Sequence, residues 1–270
     1  MKTIAISLKQ AYERLEKAGV PDSLLDAQYL LAELTNTSRL ELVLSGQSEV
    51  PEAVQAAYEA LIQRREKREP LQYILGFTPF AGLILKTDAR ALIPRPETEL
   101  LVEKALEFLP KDAKVLDVCT GTGAIGLAIK KHAPGATVTL ADLSPDALAL
   151  AKENAEALGL EVTLVKGDLF APVSGQRFDI ITANPPYIQK KACGELDLEV
   201  QKEPLMALDG GVDGLDFYRR IAKEAPSDLL LLEIGFDQGE SVPDLLKPHF
   251  TDVKVFKDYG GCDRIVLAKR

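Results

Sequence analysis

Two stretches of the 270-residue sequence carry residue types whose spacing suits chemistry. The first is Asp117-Val-Cys119-Thr120-Gly121-Thr122-Gly123-Ala-Ile-Gly126, which follows a short apolar run. Glycines at this spacing allow a tight turn and let a ligand approach the backbone, while the next helix offers its first N–H groups. Asp142 ends the following apolar run, where a carboxylate accepts hydrogen bonds from ribose hydroxyls. The pair points to an adenosine-bearing ligand, and both NAD and S-adenosyl-L-methionine carry adenosine. A glycine-rich turn without any ligand is the plainer alternative. Asp117 would face the amino group of a methionine moiety, or else be a carboxylate held by helix N-terminal amides. Asp168 would meet an adenine amino group, although Gly167-Asp168 is also an ordinary turn dipeptide.

The second stretch is Asn184-Pro185-Pro186-Tyr187, entered directly from the apolar run Phe178–Ala183. Consecutive prolines lack N–H donors and hold the preceding residues extended. The Asn184 side chain and the Pro185 carbonyl can then point the same way as two rigid acceptors. Such a pair grips both N–H bonds of a planar NH₂ group, and Tyr187 would pack flat upon it. A proline stop after a buried strand is the bland alternative.

These residues need a scaffold. Short apolar runs at Val115–Val118, Thr137–Ala141, Val162–Val165, Phe178–Ala183, Leu229–Ile234, Val253–Phe256 and Ile265–Ala268 alternate with helix-like segments after Gly123, Pro145, Gly214 and Gln238. That alternation predicts a largely parallel sheet covered by helices, with one antiparallel pair at the carboxyl end. A doubly wound sheet sets the fourth of these strands beside the first, so the proline turn falls next to the glycine loop. Residues 1–70 read instead as short amphipathic helices: one opening at Ser7, one capped by Asp22, one with a Ser38/Glu41 capping box, and one opened by Pro51. The mixed run Arg64–Glu69 reads as a solvated helix end. Residues 71–93 read as a connecting β element, broken by Gly76, Pro79 and Gly82.

Composition narrows the function classes. Hydrophobic residues make up 46% and charged residues 27%, enough to build a real core. Acids outnumber bases 41 to 32, for a net charge of −9, which argues against direct charge-held binding to nucleic acid or an anionic membrane. Cys119, Cys193 and Cys262 are scattered, and His132 and His249 read as surface residues, so neither a disulfide scaffold nor a metal site is expected. No apolar run approaches the ~20 residues of a membrane span and the amino terminus shows no signal or transit pattern, so a soluble, cytoplasmic protein is expected.

The sequence resembles a known family. S-adenosylmethionine-dependent methyltransferases acting on planar nitrogen carry Asn/Asp-Pro-Pro-Tyr in this position. Within them this chain resembles the PrmC/HemK family of peptide chain release factor N5-glutamine methyltransferases. The likeness extends through Glu69–Gly76, Leu92-Ile93-Pro94-Arg95-Pro96-Glu97-Thr98-Glu99, the glycine loop, Asn184–Ile188, Glu203-Pro204, Ala207-Leu208, Gly210-Gly211, Asp213–Leu215 and Leu232-Glu233-Ile234-Gly235. It implies an α/β fold: a Rossmann-like domain over 96–270 with a seven-stranded, mostly parallel sheet. A helical bundle over 1–70 would recognise substrate, joined by a β-hairpin linker over 71–95.

The resemblance also implies roles for single residues. Asp117, Cys119, Thr120, Gly121, Thr122, Gly123, Asp142, Leu143, Asp168, Leu169 and Asn184 would hold S-adenosylmethionine, leaving S-adenosylhomocysteine as product. Asn184, Pro185 and Tyr187 would be catalytic, and Asn184, Pro185, Pro186, Tyr187, Arg95 and Glu97 would receive substrate, with no metal required. Class-1 release factors would be the partners of a monomeric enzyme. Cys119 departs from the family's usual glycine, so the loop there must take φ below zero or be strained, and Cys262 replaces a usually longer side chain. A nucleic-acid amine methyltransferase shares the proline turn, but the acidic balance and Ile93–Glu99 oppose it. A NAD oxidoreductase would satisfy the glycine spacing, yet no hydride-transfer His or Tyr-Lys pair is evident. A non-catalytic partner protein is opposed by the intact acceptor motif.

Overall fold

The computed structural model describes residues 2–270 and divides them into two compact units. The first runs to Gly76 and also takes in Asp197–Lys202. It is built from α1 (Ile4–Lys17), α2 (Ser23–Thr35), α3 (Arg39–Leu44), α4 (Glu52–Glu66) and α5 (Leu71–Leu75). Leu15, Leu30, Leu31, Leu42, Tyr58 and Ile62 fill its core. The Tyr58 hydroxyl is satisfied there by donating to the Ala27 carbonyl at 2.9 Å. The capping box at Ser38 and Glu41 is present.

Other local expectations change. α1 starts earlier than Ser7: Thr3 caps it, and Ser7 is buried within the helix, donating to Gln55 at 2.7 Å. Asp22 stands at the cap of α2 without a side-chain cap bond. Residues 71–75 are helical instead of extended, ended by Gly76 at φ 84°. The Arg64–Glu69 run is not a wholly solvated end, because Arg65 is 4% exposed. Its guanidinium contacts Asp26 at 2.7 Å and Glu199 at 2.8 Å, and Arg68 pairs with the same Glu199. Burial opposes ionisation of Glu199, but hydrogen bonds from Arg68 and Arg65 outweigh it and hold the carboxyl down at about 2. Burial pushes Asp26 up, against the pull of Arg65.

The second unit opens with an antiparallel hairpin, β1 (Phe77–Phe80) and β2 (Leu83–Lys86). A 3₁₀ turn at Pro96–Thr98 leads into α6 (Glu99–Phe108). There follow β3 (Lys114–Val118), α7 (Ala124–His132), β4 (Thr137–Asp142), α8 (Pro145–Leu158), β5 (Thr163–Lys166) and β6 (Ile180–Ala183). The chain closes with α9 (Asp216–Glu224), β7 (Leu229–Glu233), α10 (Ser241–Leu246), β8 (Asp252–Lys257) and β9 (Asp263–Lys269). The sheet order is β5-β4-β3-β6-β7-β9-β8. The first five strands in that order run parallel, and β9 inserts antiparallel between β7 and β8.

Period-two alternation sends the side chains of each strand into two cores. Val115, Ile180, Leu231 and Ile265 enter one; Leu116, Ile181, Leu232 and Val266 enter the other. This is a Rossmann-like sheet, and its order reverses between β3 and β6. Crevices outside the carboxyl ends of such a pair are where ligands bind in this architecture.

Candidate active site

The loop from β3 to α7 turns through three left-handed residues, Cys119 (φ 58°), Gly121 (φ 56°) and Gly123 (φ 84°). Of the two conformations open to Cys119, the structure takes the strained one, which costs a residue with a Cβ about 1–2 kcal/mol. Gly126 answers a different need. A Cβ there would lie 2.2 Å from Leu140 Cδ2, so only glycine lets α7 settle onto β4.

Asp142, at the end of β4, closes this cradle. One carboxylate oxygen accepts from Gly121 N and the other from Ser144 N, both at 2.9 Å. Burial pushes its carboxyl up while the Ser144, Gly121 and Leu143 amides pull it down. Each carboxylate oxygen accepts more than one hydrogen bond, so both keep capacity for a diol.

Asp117 lies elsewhere. It is fully buried, and its oxygens accept from the Thr120 hydroxyl, the Thr182 hydroxyl at 2.9 Å and Gly126 N at 3.2 Å. Burial pushes its carboxyl up to about 6 against those three donors. Asp117 therefore braces the loop from behind, as the helix-terminal alternative describes, and does not face a ligand amino group.

The turn after β6 is confined on several sides. Ile188 N donates to Leu208 O, and Gly210 N to Ile188 O. Gln238 Nε2 donates to the Tyr187 and Gly214 carbonyls, each at 3.2 Å. A Cβ on Gly214, itself at φ 76°, would stand 2.3 Å from the Tyr187 oxygen. Pro185 and Pro186 are buried, and Asn184 is half-buried with Nδ2 donating to Thr98 Oγ1 at 3.4 Å.

Loop and turn share a cavity of about 320 Å³, within the range of small-molecule sites. Cys119, Thr120, Gly121, Thr122, Asp142, Leu143, Asp168, Leu169, Asn184, Pro186 and Arg95 all line it. Five expected site residues do not. Asp117 sits behind the loop, Gly123 is buried within it, and Pro185 is covered, though its carbonyl belongs to the peptide bond leading into Pro186. Tyr187 packs against the core containing Leu232 and Ile234 instead of lying across the cavity. Burial pushes its phenol up to about 12. Glu97 is exposed on its 3₁₀ turn, outside the cavity wall. Asp168 lines the cavity but is already paired with Arg220, each contact 3.0 Å.

Sequence reasoning missed Arg90–Pro94, Thr98, Met206 and Phe217, which also line the cavity. The signal was partly present, since Ile93–Glu99 and Glu203-Pro204 are among the family-like segments. Their connection is non-local: Glu203 is 5% exposed, accepts from Ile93 N at 2.9 Å and pairs with Arg95. Among the described residues no group of three His, Cys, Asp or Glu side chains is arranged to hold a metal ion. No helix among them is long and apolar enough to cross a membrane.

Comparison with known proteins gives the chain a family. The family models described as PrmC N-terminal domain and methyltransferase small domain match residues 7–76 and 96–202. Over 259 residues the chain is 42% identical to the release factor glutamine methyltransferase of Geobacter sulfurreducens, covering 93% of this chain and 91% of that protein. The chain belongs to the release factor glutamine methyltransferase family. The same family's protein from Moorella thermoacetica is 40% identical over 279 residues, covering 99% of both. The fold is shared more widely. A methyltransferase structure from Pyrococcus furiosus, 21% identical, superposes with a TM-score of 0.53 over 69% of this chain and 87% of that one.

Proposed function

We propose that the protein transfers a methyl group from S-adenosyl-L-methionine to the side-chain amide of the Gly-Gly-Gln glutamine in class-1 release factors. The observation that carries this reading is the shared cavity, lined both by Asp142 with the glycine loop and by Asn184 with Pro186. The residues present fit the cofactor. Asp142 keeps acceptor capacity for two ribose hydroxyls, and Leu143 and Leu169 offer apolar walls to an adenine ring. When bound, S-adenosylmethionine supplies an electrophilic methyl on a sulfonium. The protein's task is then to make a poor nucleophile attack it.

An amide nitrogen shares its lone pair with the carbonyl, the same resonance that sets the ~18–20 kcal/mol barrier of a peptide bond. Asn184 Oδ1 and the Pro185 carbonyl would each hold one N–H of the glutamine, aim its lone pair and stabilise positive charge growing on nitrogen. The proton leaves after transfer, so a dedicated base is not needed for the methyl to move. Mass spectrometry of a class-1 release factor incubated with the protein and S-adenosylmethionine is the direct test. One added methyl on the Gly-Gly-Gln glutamine is expected, and an unmodified glutamine rejects the assignment.

Asp142→Ala is expected to weaken S-adenosylmethionine binding by ~1.5–3 kcal/mol, the worth of hydrogen bonds to a charged group. Titration calorimetry checks this, and unchanged affinity rejects the ribose assignment.

The residues lining the cavity belong to the second unit, and we assign the helical unit to recognition of the release factor body. A chain beginning at Phe77 and carrying Glu199→Gln, so that no charge is left without its arginines, should bind S-adenosylmethionine normally. It should methylate intact release factor far more slowly than the full chain, and equal rates would refute the assignment. We propose further that it acts as a monomer. The cytoplasm, where release factors meet ribosomes, is its proposed place of action.

A further inference from the structure

A buried carboxylate stands behind the acceptor turn. Glu233 ends β7; its backbone carbonyl accepts from the Tyr218 hydroxyl at 2.7 Å, and the residue is 1% exposed. Thr98 and Asn184 both act on its carboxyl to favour the ionised form, and Asn184 Nδ2 is itself held at Thr98 Oγ1, 3.4 Å away. Among the described residues, Glu233 Oε2 is the one buried side-chain oxygen or nitrogen without a hydrogen-bond partner. A buried polar atom left unsatisfied is costly, and its retention beside a site calls for a role.

We propose that Glu233 is a positioning residue for methyl transfer, whose ionised carboxylate accepts from Asn184 Nδ2 and so turns Asn184 Oδ1 toward the acceptor amide. This rests on the glutamine methyltransferase reading above. A carboxamide is nearly symmetrical in shape but not in chemistry, with an acceptor oxygen on one arm and two donors on the other. Something must decide which arm faces the substrate. An ionised carboxylate only accepts, so it selects the NH₂ arm for itself. A protonated carboxyl can donate to Oδ1 and loses that selectivity.

The surroundings set where this switch falls. Burial pushes the Glu233 carboxyl up to about 7, against the Thr98 bond, the positive charge of Arg264 and the Asn184 bond, while the charge of Glu97 adds to the effect of burial. Arg264 reaches it from β9 and Glu97 from the 3₁₀ turn; the phenols of Tyr187 and Tyr218 face it from the acceptor turn and α9. The folded value lies above the ordinary one of 4.5. Stability linked to this group is therefore present below that value and lost as pH rises through about 7. Turnover runs the opposite way, rising as the carboxyl ionises.

The test follows kcat against pH at saturating S-adenosylmethionine and release factor, in the wild type and in Glu233→Gln. Wild-type kcat should rise as pH passes about 7. Glu233→Gln should lose that rise, fall about tenfold in kcat on the alkaline side, and keep its S-adenosylmethionine affinity. It should also melt a few degrees higher than wild type at alkaline pH and show little gain in acid. Stability gained while turnover is lost marks a functional group, where a merely structural one would lose both. A second readout needs neither turnover nor the variant: in the wild type the Asn184 side-chain amide NMR signals should move with a midpoint near 7. A flat wild-type profile through neutrality, a rise near 7 retained in Glu233→Gln, or Asn184 signals that stay still would overturn the proposal. If the wild type methylates no release factor, the assigned reaction fails, and the Asn184 signals still decide the role of Glu233.

Discussion

Asn184→Ala is expected to cut turnover by ~10²–10³-fold, the typical loss for one preorganised hydrogen bond at a reacting centre. S-adenosylmethionine affinity should change much less than turnover, because the ribose contact is assigned to Asp142 and the glycine loop, whose hydrogen bonds this substitution leaves in place. The substitution leaves Pro185, Pro186 and the bonds from Gln238 to the turn in place, so a fall in rate would report the missing acceptor and not a collapsed loop. Asn184→Asp keeps an oxygen acceptor but sets a negative charge beside both the sulfonium and Glu233, so partial activity is expected. Single-turnover methylation of release factor by the purified variants separates these cases. A folded Asn184→Ala protein working at near wild-type rate would remove the turn from the mechanism.

Arg65→Ala is the second large effect, and it falls on stability. The side chains of Arg65 and Asp26 are 5% and 7% exposed and that of Glu199 is 17% exposed, so little water is at hand to take over from a missing guanidinium. Removing one partner of a buried ion pair typically costs ~3–5 kcal/mol, because the remaining charge is left uncompensated. Here one residue serves two carboxylates, and Arg68 is left to serve Glu199 alone. Asp26 already sits at the unfavourable end of its range through burial, and would lose the cation that offsets it. Calorimetric unfolding should show the helical unit melting well below wild type. Arg65→Lys, which keeps the charge but not the two-pronged reach, should fall between. A melting point for Arg65→Ala within a degree or two of wild type would show that the cluster contributes no net stability.

The sheet was largely legible because its central strands are buried on both faces and therefore appear as unbroken apolar runs. Val115–Val118, Ile180–Ala183 and Leu229–Glu233 stand out for that reason. The glycine loop and the proline turn were equally plain, since backbone geometry leaves its mark on residue type. What escaped was information held by distant partners. Arg65 reads as one cation in a charged helix end until Glu199 arrives from far along the chain. Asp117 precedes a ligand loop in sequence, but the Thr182 and Gly126 donors turn its carboxylate away from the cavity. Tyr187 follows the acceptor residues directly, yet the next core captures its ring. Glu233 gives no local sign at all: it ends an apolar strand, and only the packing of Thr98 and Asn184 against it makes its charge consequential.

The confined turn around Asn184–Tyr187 bears on the thermodynamics of substrate arrival. A loop free to wander must give up conformational entropy each time it organises around a ligand, at roughly 1–2 kcal/mol per residue fixed. Gln238, the Ile188 backbone bonds and the close approach at Gly214 impose that order once, when the protein folds. Each incoming amide then meets acceptors already in place, and the ordering left to pay belongs to the substrate's own loop.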